Sequence, residues 1–75
     1  MAMTKTKPTA EEYSYEVFWS EEDKEFVATV KEFPGLSWLE KDETKALVEL
    51  KSLVSRLLDR YEADGKEYPQ PSKVS

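Results

Sequence analysis

The 75-residue chain contains no cysteine and no histidine, and only two glycines. Without cysteine, neither a disulfide framework nor a thiolate zinc site can reinforce a fold this small. Without histidine as well, the commonest general base, the commonest nucleophile–base pairs and the usual zinc ligands are missing. Gly35 and Gly65 stand far apart, so no glycine-rich loop is available to cradle a phosphate. No apolar run approaches the ~20 residues that cross a bilayer. The opening MAMTKTKP holds no apolar stretch of the kind a signal peptide needs. Basic residues are the minority, eleven against sixteen acidic ones, for a net charge of −5. That balance argues against non-specific nucleic-acid binding, which uses cations to displace phosphate counterions. It suits a basic partner, although the same charge also keeps a small domain soluble. These absences lead us to expect one soluble, cytoplasmic domain that is not an enzyme and carries neither metal nor cofactor.

What is present is a clear sequence of periodic segments. Residues 1–12 are polar, contain Pro8 and show no period, which predicts a flexible lead-in. Residues 13–20, YSYEVFWS, alternate Tyr13, Tyr15, Val17 and Trp19 against Ser14, Glu16, Phe18 and Ser20, the pattern of a strand. Glu21-Glu22-Asp23-Lys24 is a polar interruption short enough for a hairpin turn. The next stretch sets Phe26, Ala28 and Val30 against Val27, Thr29 and Lys31, a second and antiparallel strand. Phe33-Pro34-Gly35 ends it, because proline lacks a backbone donor and glycine tolerates turn dihedrals. A short third strand is expected over residues 36–40.

Asp42 is placed to cap a helix, with Glu43 at its positive end. Leu47, Leu50, Val54, Leu57 and Tyr61 follow at spacings of three and four, widened by Ala46, Leu53 and Leu58. Lys45, Glu49, Lys51, Ser52, Arg56 and Asp59 are expected largely on the other side. Gly65 stands where a left-handed cap is expected. A brief fourth strand near Glu67-Tyr68 is allowed before Pro69 and Pro71 end regular pairing. The expectation is an α+β fold: a three- to four-stranded antiparallel sheet with one amphipathic helix on one face, spanning residues 13–71. Residues 72–75 are expected as a flexible tail.

Nine aromatic residues are many for this length, and most must be core. A sheet with two faces and one helix nevertheless leaves some of Phe18, Trp19 or Trp38 facing water, and exposed apolar surface commonly marks an interaction site. Catalysis would have to rest on carboxylates and a magnesium-type ion, with Glu16, Glu49 and Glu67 as its only candidate ligands. Glu21-Glu22-Asp23 lacks the alternating ligands and glycine of a calcium loop.

The order of these features resembles the N-terminal domain of the HicB-type antitoxins. The matching pieces are Phe26-Val27-Ala28-Thr29-Val30, Phe33-Pro34-Gly35-Leu36-Ser37-Trp38, Ala46-Leu47, and Asp64-Gly65 with Tyr68-Pro69-Gln70-Pro71. Glu22-Asp23-Lys24 departs from the acidic-glycine turn usual in that family's first hairpin. The resemblance implies a partial ribonuclease-H-like fold (β-β-β-α-β) without the nuclease carboxylates. It implies an antitoxin that binds and blocks a small basic toxin, itself a degrader of messenger RNA, in a bacterial toxin–antitoxin pair. Many members add a DNA-binding segment after the tail. Since this chain stops at Ser75, direct DNA binding by the chain alone is not expected. Open sheet edges lead us to expect a homodimer or another even-numbered assembly. The candidate interface is Trp19, Glu21, Glu22, Asp23, Trp38 and Glu40. A regulatory domain that only oligomerises is the alternative reading, and a metal-dependent RNA or nucleotide hydrolase a weaker one.

Overall fold

The computed structural model describes residues 7–71. Aromatic and β-branched residues alternating with polar ones form β1 (Tyr15–Ser20) and β2 (Glu25–Val30), and a shorter run forms β3 (Ser37–Glu40). The three make one antiparallel sheet in the order β1-β2-β3, so β1 and β3 are both edges. Register fixes the faces. Trp19 pairs with Phe26 and Phe26 with Glu40; Val17 pairs with Ala28 and Ala28 with Trp38. Those rows face the helix α1 (Glu43–Asp64), while Phe18, Val27 and Leu39 line up across the opposite face. The architecture is therefore α+β, one helix on one face of a small antiparallel sheet.

The β1–β2 turn is held by its own side chains. The Ser20 hydroxyl donates to the Asp23 carboxylate at 3.0 Å, and the Asp23 amide donates back to Ser20 Oγ at 3.2 Å. Lys24 closes the turn by donating its amide to the Ser20 carbonyl at 2.7 Å, at a φ of 56°. A side chain in the left-handed region costs roughly 1–2 kcal/mol, of which glycine's extra chain entropy takes back a part. Lys24→Gly is therefore expected to raise the urea midpoint by a gain of about 0.5–1 kcal/mol without changing the m-value. A lowered midpoint would show that the Lys24 side chain outweighs its backbone strain.

At the other end of the sheet, the Leu36 amide bonds the Phe33 carbonyl at 2.9 Å and turns the chain around Pro34-Gly35. Gly35 does not take a positive φ; the left-handed glycine is Gly65, at 71°, which stops α1 and donates its amide toward Glu62 and Tyr61. Asp42 caps the helix as its residue type demands, its carboxylate accepting from the Lys45 amide at 3.0 Å.

The buried row of α1 is Ala46, Leu50, Val54 and Leu58, a strict four-residue repeat. Leu47, Leu57 and Tyr61, expected near the centre of the stripe, flank it half-buried, as does Leu53. The small Ala46 lets the helix seat closely on β2, whose Ala28 and Val30 lie beneath it with Tyr13 and Phe33. Two residues expected on the polar side lie at its margin instead. Lys51 packs its ammonium 5.5 Å from the centre of the Tyr15 ring and bonds Glu11 at 2.9 Å, while Glu49 is half-buried beside Trp38.

Within residues 7–12, part of the expected lead-in, lies a 3-10 turn over Ala10–Glu12. Lys7 pairs there with Asp59 and Glu62, whose hydrogen bonds hold its ammonium above the usual lysine range. β1 begins at Tyr15, not Tyr13. Tyr13 nevertheless has no exposed surface, packs edge-on against Phe33 at 5.3 Å and donates its hydroxyl to the Pro69 carbonyl at 2.8 Å. Lastly, residues 66–71 form no fourth strand. Pro69 and Pro71 cannot donate to a ladder, so side chains secure the segment instead, with Tyr68 packed on the core. The expected tail, 72–75, and the first half of the lead-in lie outside the described residues.

Candidate protein-interaction surface

Period-two alternation, read with the observed register, gathers most of the expected interface at one pole of the molecule. β3 ends level with the β1–β2 turn, because Glu40 pairs with Phe26 and Phe26 with Trp19. Trp19 belongs to the helix-facing side of β1, an edge strand, yet remains 46% exposed, whereas Phe26 beside it is half-buried against the core. Its ring stands against Phe26 at 5.0 Å and 71°. Such an edge-to-face pair holds the indole in one orientation.

Each tryptophan is further fixed by a carboxylate two residues on. Trp19 Nε1 donates to Glu21 Oε1 at 2.9 Å, and Trp38 Nε1 donates to Glu40 Oε2 at 3.0 Å. Glu21 also accepts from the Lys24 ammonium at 2.8 Å. That ammonium, and then the indole N–H, hold the Glu21 carboxyl below the usual carboxylate range. Trp19, Glu21, Trp38 and Glu40 are thus brought to one end of the sheet. Glu22 and Asp23 lie exposed in the adjoining turn. Trp38 is half-buried and, with Glu49, Ser52, Leu53 and Arg56, lines a shallow cleft between β3 and α1.

The charge is distributed unevenly. Residues 20–26 and 39–45, which meet at this pole, carry seven carboxylates against three lysines, −4 of the chain's net −5.

Two elements of the surface escaped the sequence reading. Phe26, half-buried, is the centre of the Trp19–Phe26–Glu40 row, which only the register reveals. On the opposite sheet face, Phe18 at 46% and Leu39 at 38% exposure flank Val27 in an unbroken apolar stripe. Alternation places each of these on that face, but their alignment depends on strand offset.

The three carboxylates considered as metal ligands are not brought together. Glu16 is exposed on the sheet face opposite the helix, Glu49 sits on α1, and Glu67 is exposed beyond its C-terminus. Among the described residues, no group of three Asp or Glu side chains is placed to hold a metal ion, and no polar or charged residue is buried. No described helix is long and apolar enough to cross a membrane. Comparison with protein-family models, curated proteins and solved structures returns no match to this chain.

Proposed function

We propose that this chain is an antitoxin-like protein-interaction module: a cytoplasmic, non-catalytic domain of partial ribonuclease-H-like type. It binds and neutralises a small basic toxin of a bacterial toxin–antitoxin pair. The observation that carries this reading is the concentration of −4 of the net −5 at one pole, beside a half-exposed tryptophan. A clustered field of one sign steers an oppositely charged partner and repels wrong ones. An exposed aromatic beside it supplies the kind of anchor on which binding energy concentrates.

The test is co-expression with a candidate small basic toxin, followed by size-exclusion chromatography and an RNA-cleavage assay. A complex of fixed ratio with cleavage suppressed is expected, weakening as salt rises. Separate elution with RNA cleavage unaffected overturns the reading.

A second reading, a domain that only oligomerises, is favoured by the Phe18–Val27–Leu39 stripe and by the two sheet edges, β1 and β3, left unpaired among the described residues. It calls for a stable even-numbered oligomer without any other protein. In the antitoxin reading, a homodimer and the toxin complex coexist, since the stripe and the acidic pole lie on different surfaces.

A further inference from the structure

We infer that this end of the helix-side sheet face, the exposed Trp19 backed by half-buried Phe26 between the carboxylates of Glu21 and Glu40, is a recognition site for a cationic side chain, arginine above all, on a basic partner segment. The inference rests on the interaction-module reading and names what one of its surfaces would recognise.

Three features combine here. The first is a tryptophan with nearly half its surface open, and indole is the best of the aromatic faces for a cation. The second is preorganisation. Phe26 supports the Trp19 ring from one side, and the Nε1–H bond to Glu21 fixes its rotation, so little side-chain entropy remains to be lost on binding. The third is the position of the carboxylates. Glu21 stands beside one end of the Trp19–Phe26–Glu40 row and Glu40 forms the other end. A planar guanidinium laid over the ring has N–H groups directed outward along its edges, where it can donate to carboxylates in a fork. Lys24 already demonstrates that Glu21 accepts a cation. Both members of that pair are well exposed, so displacing Lys24 costs little.

A second copy of this chain is a poor occupant of the same surface. Face to face, two such poles would oppose seven carboxylates each with only three lysines, and like charges brought together are destabilising.

The two tryptophans give two indole N–H signals in a nitrogen–proton correlation spectrum, which makes the site directly observable. The probe is a capped oligo-arginine peptide titrated into the intact chain at low salt, with the matching oligo-lysine peptide for comparison. The Trp19 indole signal is expected to move most, and arginine is expected to bind more tightly than lysine. Trp19→Val, which keeps every charge and suits a strand, should weaken arginine binding by about threefold to fivefold. Glu21→Gln, a change at an exposed position, should weaken it as well, and Lys24→Gly should tighten it by removing the internal competitor. Equal affinity of the Trp19→Val variant would reduce the effect to general attraction between a polycation and an acidic protein, and would overturn the inference. Movement of the Trp19 signal on dilution, without peptide, would assign the surface to a second copy and also overturn it. The outcome is separable from the antitoxin reading. A toxin that still co-elutes with Trp19→Val and Glu21→Gln leaves that reading standing and removes this site. Arginine binding at Trp19 without any toxin complex does the reverse.

Discussion

Replacing Tyr13 by alanine is expected to destabilise the protein severely. The side chain has no exposed surface and sits edge-on to Phe33. Phe33 in turn contacts Tyr61 of α1 at 6.2 Å, so the three rings join the start of β1, the turn after β2 and the end of the helix. Truncating a buried aromatic costs about 3–5 kcal/mol through lost transfer energy and the cavity left behind. Domains hold only about 0.05–0.15 kcal/mol per residue in total, so for a chain this short that loss removes a large part of the margin and, at the low end, all of it. Urea unfolding followed by tryptophan fluorescence measures it. A loss below about 1 kcal/mol would show that the ring packing contributes far less than its burial implies. Tyr13→Phe isolates the hydroxyl. It leaves the Pro69 carbonyl without its donor, at a cost of about 1–2 kcal/mol, and amide exchange is expected to quicken over residues 66–70 before it does in the helix.

Raising the pH from 10 to 12 is expected to destabilise the protein markedly. Burial pushes the Tyr13 phenol up to about 12, helped by the nearby Glu32 and Glu12 charges. Burial likewise pushes Tyr15 up to about 12, helped by Glu11 and Glu32. An unfolded tyrosine titrates near 10. Between the two values the unfolded chain has lost protons that the folded chain keeps. Rising pH therefore favours unfolding: the contribution is intact below about 10 and is lost as pH climbs through about 12. A two-unit gap corresponds to roughly 2.7 kcal/mol for a fully sequestered phenol, and less for the half-buried Tyr15. Circular dichroism and tyrosinate absorbance recorded on one sample should change together. Tyr15→Phe, which keeps the ring under Lys51 but gives up the 2.7 Å hydroxyl bond to the Ala10 carbonyl, should flatten the loss of stability across this window. A stability that stays flat across this window in the unaltered protein would contradict the assignment.

Much of the fold is legible in the sequence because it follows from local chemistry. Alternation identifies the three strands, Asp42 marks the helix start by its carboxylate, and Gly65 marks the stop by its left-handed backbone. What stays hidden depends on pairs distant along the chain. Tyr13 looks like the first residue of a strand, and its core position becomes evident only with Phe33 and Pro69 beside it. The apolar stripe of α1 is wide enough that periodicity alone does not say whether the row through Leu47 or that through Ala46 is central. The small Ala28 beneath the helix and the small Ala46 upon it settle the matter by allowing close approach. Glu67-Tyr68 has the composition of a strand end, but the following prolines remove the donors a ladder needs. For the surface, alternation groups Trp19 with Tyr15 and Val17, and Trp38 with Leu36, while the register puts both tryptophans on the helix side. That Trp19 remains open depends on how the elements pack, which no single segment encodes.

The tyrosine clasp also sets where the protein can be held. Lys7, at the start of the described chain, is tied to the last turns of α1, and Pro69, near its end, is tied to Tyr13. Both attachment points lie at the Phe33–Tyr61 pole, and the Trp19–Glu40 row lies at the opposite one. The molecule thus has a handle and a head. A linkage attached at Lys7 or beside Pro69 starts from the handle. The acidic aromatic head then stays turned toward solution, so an immobilised sample presents its candidate docking surface unobstructed.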